Sequence, residues 1–166
     1  QFVSDEVDLI MANATPALQA AMSATASIPV LGTSVTDYGT ALGVSDWTGV
    51  SGSNISGTSD LAPLEGQAEI IGEMFPDAKT VGILFCSGEP NSRFQADTIT
   101  PMLEDLGLTV SEYTFVDSND VASVAANACS EGDVLYIPTD NVAASCAESI
   151  NNVALNAGVP VVAGEE

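Results

Sequence analysis

The chain is 166 residues long and 46% apolar, with 23 acidic residues against two basic ones, no histidine and a formal charge of -21. That length holds one ordinary domain or two small lobes, and that apolar share is enough to bury a core. Nucleic acid and anionic membranes are bound by cations that displace counterions, and Lys79 and Arg93 are the only ones, so both roles are close to excluded.

Val7 to Ala12 is a short apolar run that ends in Asn13-Ala-Thr-Pro, with Thr15 as the expected N-cap and Pro16 at the first helical position. A helix over Pro16 to Thr25 and a strand at Ile28-Pro-Val-Leu-Gly-Thr complete a β-α-β unit. Ser34 to Asp60 is rich in Gly, Ser, Thr, Asp and Asn and reads as a crossover without a strand of its own, so two strands are expected before residue 60. From Leu61 the elements alternate: helix to Phe75, strand Thr80 to Cys86, helix Arg93 to Leu106, strand Leu108 to Phe115. Helix Ser118 to Cys129, strand Asp133 to Ile137, helix to Ala157 and strand Val159 to Ala163 follow, with Gly107 and Gly158 at expected helix C-caps.

Val81 to Cys86 is apolar apart from Gly82, as a strand covered on both faces should be. The fold class is therefore α/β with Rossmann-like doubly wound parallel sheets: residues 1–60 form a partial first lobe with its crossover, and residues 61–166 a second lobe. Asp8 to Thr15 followed by Ile28-Pro-Val-Leu-Gly is echoed by Asp133 to Thr139 followed by Val159-Pro-Val-Val-Ala-Gly, which implies two similar lobes. The alternative, that all β-α-β units share this look, stays open. The chain starts at Gln1 without a Met, so a signal or upstream segment, removed or not included, is expected.

Ligands of open parallel sheets sit beyond the carboxyl ends of the strands. The polar residues there include Thr15, Asp37, Glu89, Asn91, Ser92, Asp140, Asn141 and Glu165, all expected to face one cleft, with the turn after Cys86 polar and exposed. The pattern suits a small zwitterion: helix N-termini at Thr15 and Ser92 offer N–H groups and hydroxyls to a carboxylate, while Asp140, Glu89 or Glu165 pairs an ammonium. For Thr15, Ser92 and Asn141, capping and ligand contact are both open, and Arg93 reads as a first-turn surface residue rather than a carboxylate clamp.

Cys86, Cys129 and Cys146 lack metal-ligand spacing, and no Gly-x-Gly-x-x-Gly follows a strand. No metal and no cofactor is expected. Cys86 reads as core, and a Cys129–Cys146 disulfide stays open. No apolar run reaches the length of a membrane span.

Six motifs carry a resemblance: Asp8-Leu-Ile-Met-Ala-Asn-Ala-Thr-Pro-Ala, Ile28-Pro-Val-Leu with Val35-Thr-Asp, Asn54-Ile-Ser-Gly-Thr-Ser-Asp, Gly88-Glu-Pro-Asn-Ser, Tyr136-Ile-Pro-Thr-Asp-Asn and Val159-Pro-Val-Val-Ala-Gly-Glu-Glu. In this order they resemble the substrate-binding proteins of ABC importers, in the type I periplasmic-binding group associated with aromatic amino acids such as tryptophan and phenylalanine. The resemblance implies a two-lobed clamp that closes on its ligand and is not an enzyme. It further implies an amino-acid ligand, a membrane ABC permease as partner, and an extracytoplasmic place, periplasmic or as a lipid-anchored lipoprotein. Thr15, Asp37, Glu89, Asn91, Ser92, Asp140, Asn141 and Glu165 fall where that family lines its cleft. Tyr38 stands where the family usually has proline after Val-Thr-Asp, which alters that wall. Family members are about twice this length, so the chain is expected to be an internal piece whose first lobe is incomplete or completed by self-association with a neighbouring chain. The alternative function is a doubly wound α/β enzyme with Asp140 or Glu89 as acid or base.

Overall fold

The computed structural model describes residues 1–164, in two compact units, residues 1–62 and residues 63–164. In the first unit β1 (Ile10–Asn13), α1 (Thr15–Ala24), β2 (Val30–Val35), α2 (Tyr38–Leu42) and β3 (Ile55–Ser59) alternate, and the strands form a parallel sheet in the order β1-β2-β3. Ile10, Ala12, Leu18, Val30, Val35, Tyr38, Ala41 and Ile55 make its core. In a strand successive side chains point to opposite faces. Ile10 and Ala12 are accordingly buried while Met11 between them is 63% exposed.

β3 corrects the reading of Ser34 to Asp60 as a strandless crossover. Its sequence, Ile-Ser-Gly-Thr-Ser, carries one buried apolar residue, too few for a period-two signal. What builds the strand is its neighbour: Val30 N–H donates to Asn54 O at 2.8 Å, and the Asn54 side-chain amide donates to Ile28 O at 2.7 Å. Gly57, at φ 157°, and Gly32 are paired in register, and the Tyr38 ring lies across both. A Cβ on either glycine would collide with the Tyr38 hydroxyl. Tyr38 also stacks on Trp47, with ring centroids 6.1 Å apart and planes 16° apart.

The second unit contains α3 (Leu64–Met74), β4 (Thr80–Cys86), α4 (Pro90–Asp105), β5 (Thr109–Phe115), α5 (Val121–Glu131), β6 (Val134–Ile137), α6 (Asn141–Ser145), α7 (Ala147–Ala157) and β7 (Val161–Ala163). All strand pairs are parallel, in the order β5-β4-β6-β7. β4 is buried on both faces: Val81, Ile83 and Phe85 pack with Ala68 and Ile71 of α3 and Ala96, Ile99 and Leu103 of α4. Leu84 and Cys86 pack with α5 and α7 on the other face, through Ala125, Ala128, Ile150 and Ala154. This is a doubly wound sheet, and its direction of winding reverses between β4 and β6. At the opposite end Asp133 Oδ2 accepts from Lys79 N at 2.9 Å and from Thr80 N at 3.0 Å, tying the starts of β4 and β6 and holding its carboxyl below the usual carboxylate range.

Other boundaries differ for local reasons. β2 and β7 begin one residue after Pro29 and Pro160, which have no N–H to give a ladder. The helix expected as far as Ala157 is broken at Cys146, at φ -110° and ψ 12°, into α6 and α7. Thr15 is not the N-cap of α1 but its first residue; Ala14 holds the cap position at φ 74° and ψ 160° without a side-chain cap. Gly158 caps α7 in the left-handed conformation at φ 72°. All three cysteines are free thiols.

The Tyr38 packing gives a stability test by urea unfolding of the full-length protein. Gly32→Ala should cost about 1–3 kcal/mol, and adding Tyr38→Phe should recover part of it, because the colliding atom is removed. Gly57→Ala should cost as much without recovery, since its Cβ would also meet the Gly32 carbonyl.

Candidate functional site

The loops that leave β4 and β6 meet at the reversal of winding, the place in such sheets where a crevice forms. The turn after Cys86 is exposed at Ser87 and Gly88, as expected, but the polar residues that follow it are buried. Helix α4 starts at Pro90, whose fixed φ suits the first helical position, and this draws Asn91 and Ser92 into the first turn. Glu89 is 5% exposed, Asn91 3%, Ser92 0% and Asp140 1%.

Two carboxylates hold these loops, each serving the other loop. Glu89, from the β4 loop, caps α6: its Oε1 accepts from Val142 N at 3.0 Å and its Oε2 from Asn141 N at 3.1 Å and Asn141 Nδ2 at 2.7 Å. Asp140, from the β6 loop, accepts at Oδ1 from Ala143 N at 2.7 Å, and at Oδ2 from Cys86 N and Ser92 Oγ, both at 2.7 Å. Both carboxylates are thus bonded by donors of the protein itself, with Glu89 Oε1 and Asp140 Oδ1 accepting one bond each. Burial pushes the Asp140 carboxyl above its ordinary value despite those donors, and the neighbouring Glu89 charge adds to the rise. Burial likewise raises the Cys86 thiol, as befits a core residue.

Gln95, absent from the residues singled out by sequence, completes the cluster. It is fully buried one turn beyond Asn91, and it grips Thr139 from both sides: its Nε2 donates to Thr139 O and its Oε1 accepts from Thr139 N, both at 3.1 Å. A glutamine on the apolar side of a helix was the available signal. Asn91 Nδ2 donates to Glu89 Oε2 and to Thr139 O, both at 3.1 Å, which fixes the orientation of its amide. Its Oδ1 is buried with no hydrogen-bond partner among the described residues. Asn141 presents an exposed side chain at the rim.

Arg93 faces away from this cluster's chemistry. Its guanidinium lies 4.7 Å over the Phe85 ring, and its Nη1 contacts both Glu112 oxygens at 2.8 Å and Asp97 at 3.1 Å. A hollow of about 340 Å³ opens beside Asp140, lined by Ile137, Ala143, Ala147, Ile150 and Val161. Glu89, Asn91 and Ser92 do not line it.

In the first unit, Thr15 and Asp37 also stand at strand ends. Thr15 is 2% exposed at the start of α1, and Asp37 caps α2, accepting from Thr40 N at 2.6 Å. Ala14 and Ser34, at the ends of β1 and β2, have φ of 74° and 54°, which L residues seldom adopt and which cost about 1–3 kcal/mol each where the surroundings enforce them. Such strain gathers at functional sites, and here it sits at the strand ends. Glu165 lies outside the described residues.

A doubly wound parallel sheet with its polar cluster at the reversal of winding has the type I periplasmic-binding architecture. The chain belongs to the family of ABC transporter substrate binding proteins, whose profile matches residues 1–166. It is 36% identical over its whole length to the tyrosine-binding protein of Clostridioides difficile (strain R20291), of which it covers 48%. Among solved structures it resembles an ABC domain in complex with L-Trp from Streptococcus pneumonia, with a TM-score of 0.92 and 32% identity over 97% of this chain and 54% of that one. A conserved domain protein from Vibrio cholerae gives 0.93 and 34%, over 98% and 55%. The chain thus spans about half the length of the relatives it matches. The family is defined by substrate binding rather than by catalysis.

Two outcomes follow for the carboxylates. Glu89→Gln puts an NH2 group against N–H donors and should cost about 1–3 kcal/mol of stability in urea unfolding, the penalty for buried donors left unpaired. For Asp140 the folded pKa lies above the unfolded value of about 4. The folded state therefore holds its proton longer, and ionisation of Asp140 lowers stability as pH rises from about 4 through the raised pKa. Unfolding measured from about pH 4 to about pH 8 should show a smaller fall in Asp140→Asn than in the wild type, the difference being this contribution.

Proposed function

We propose that the protein of which this chain is part is an extracytoplasmic solute-binding protein that captures an aromatic amino acid and delivers it to an ABC permease in the membrane, without catalysing a reaction. The observation that carries this reading is Asn91 Oδ1. A buried carbonyl oxygen without a donor costs free energy, and it is worth keeping where a ligand supplies the missing N–H. It lies at the ends of β4 and β6, where such sheets bind ligands, and the adjoining acids give the cluster a negative potential that favours an ammonium over a second acceptor.

The ligand's carboxylate falls to N–H groups and hydroxyls at helix starts, because Arg93 is engaged by Glu112 and Asp97. Glu89 and Asp140 serve this site by holding Asn91, Ser92 and Asn141 in place. That one relative is a tyrosine-binding protein and another is bound to L-Trp supports an aromatic side chain. Among the described residues no helix is long and apolar enough to cross a membrane.

Isothermal calorimetry of the full-length protein against the twenty amino acids should give heat with tyrosine, tryptophan or phenylalanine. Asn91→Ala should weaken that binding about 10- to 100-fold, as loss of a buried hydrogen bond to a charged group does, with the circular dichroism spectrum unchanged. No heat from any amino acid, or full affinity in Asn91→Ala, would overturn the reading.

A further inference from the structure

We propose that the fold of this chain is built for counterion screening, so that its stability is set by the salt concentration of the medium and collapses when salt is withdrawn. The charge is not merely a solvated coat: 23 carboxylates face two cations. Among the described residues the ion pairs are those of Arg93 with Asp97 and Glu112, and Lys79 makes none.

The placement of the acids adds to the imbalance. Glu65, Glu69 and Glu73 recur every fourth residue of α3, all exposed, so each faces a like charge one turn away. Among the described residues no helix carries a basic residue in its last turn. Three instead end on acids, with Glu73 in α3, Glu104 and Asp105 in α4 and Glu131 in α5 set against the negative pole of the helix dipole. Neighbours on a helix face are about 5–6 Å apart. The screening length is about 10 Å at 0.1 M salt and about 3 Å at 1 M, so dilute salt leaves these repulsions in force and concentrated salt removes them.

Diffuse screening fits better than a bound ion, since the described residues contain no group of three or more side chains able to hold a metal. The buried acids do not share in the effect. Glu89 and Asp140 are satisfied by internal donors, and charges out of solvent are screened far less.

The test is thermal unfolding of the full-length protein between about 0.05 M and about 2 M NaCl, with sucrose as an uncharged stabiliser for comparison. Tm should rise by about 10 °C or more across the salt range. Glu69→Lys turns two repulsions on α3 into two attractions, and it should raise Tm in dilute salt and reduce the salt response, with Glu69→Gln falling between. A Tm that stays flat or falls with salt overturns the proposal. So does a Glu69→Lys variant no more stable than wild type in dilute salt, or a sucrose effect that matches that of NaCl, which would assign the gain to burial of apolar surface instead.

Discussion

Two buried carboxylates without a cation organise this structure. Taking an ionised carboxylate out of water costs several kcal/mol, and a protein ordinarily offsets that with an arginine or lysine. Here Glu89 and Asp140 are met by backbone N–H groups and short polar side chains, with Glu89 at the start of α6 and Asp140 at the end of β4. Glu89, from the β4 loop, caps α6 on the other loop, and Asp140 caps α6 on its own loop while also accepting from Cys86 N and Ser92 Oγ across the gap. Neither loop can move without stripping donors from a buried charge, so the two are locked in register at the reversal of winding.

That lock determines what the cluster has left to offer. Gln95 holds Thr139 by both its N–H and its carbonyl, Ser92 is turned toward Asp140, and the amide nitrogen of Asn91 is committed to Glu89 and Thr139. The polar groups are oriented before any ligand arrives, so binding need not order them, and preorganisation of this kind converts more of the contact energy into affinity. Asn91 Oδ1 is the exception to a network otherwise closed on itself. An acceptor left open in a set of satisfied groups selects for a donor, and the strained backbone at Ala14 and Ser34 marks the strand ends of the first unit as similarly constrained.

The alternation from Leu61 onward was legible in the sequence because β4 is apolar on both faces and its helices carry a clear period. β3 was not, because its pairing is imposed by β2 and by Asn54, and a strand with one buried side chain leaves no pattern to read. Glu89, Asn91, Ser92, Asp140 and Asn141 were legible as polar residues at strand ends, and the structure brings them together in one cluster. Their division of labour was hidden: an acid that caps its own loop and one that caps a neighbouring loop look alike in one dimension. Pro90 held the missing clue, since a proline at the first helical position moves the start of α4 ahead of Asn91 and turns an apparently open loop into a buried first turn.

The same reasoning separates the site from the surface. In a chain with two cations, an arginine spent on each buried acid would leave Arg93 unavailable to join α4 to β5 through Glu112. Backbone donors carry no such limit, because every residue except proline supplies one. They are also less sensitive to salt: a carboxylate enclosed by N–H groups in the folded protein is screened far less than the exposed carboxylates around it. A site built from main-chain donors and amides is thus the form of recognition that salt alters least on a scaffold whose surface charge is so one-sided.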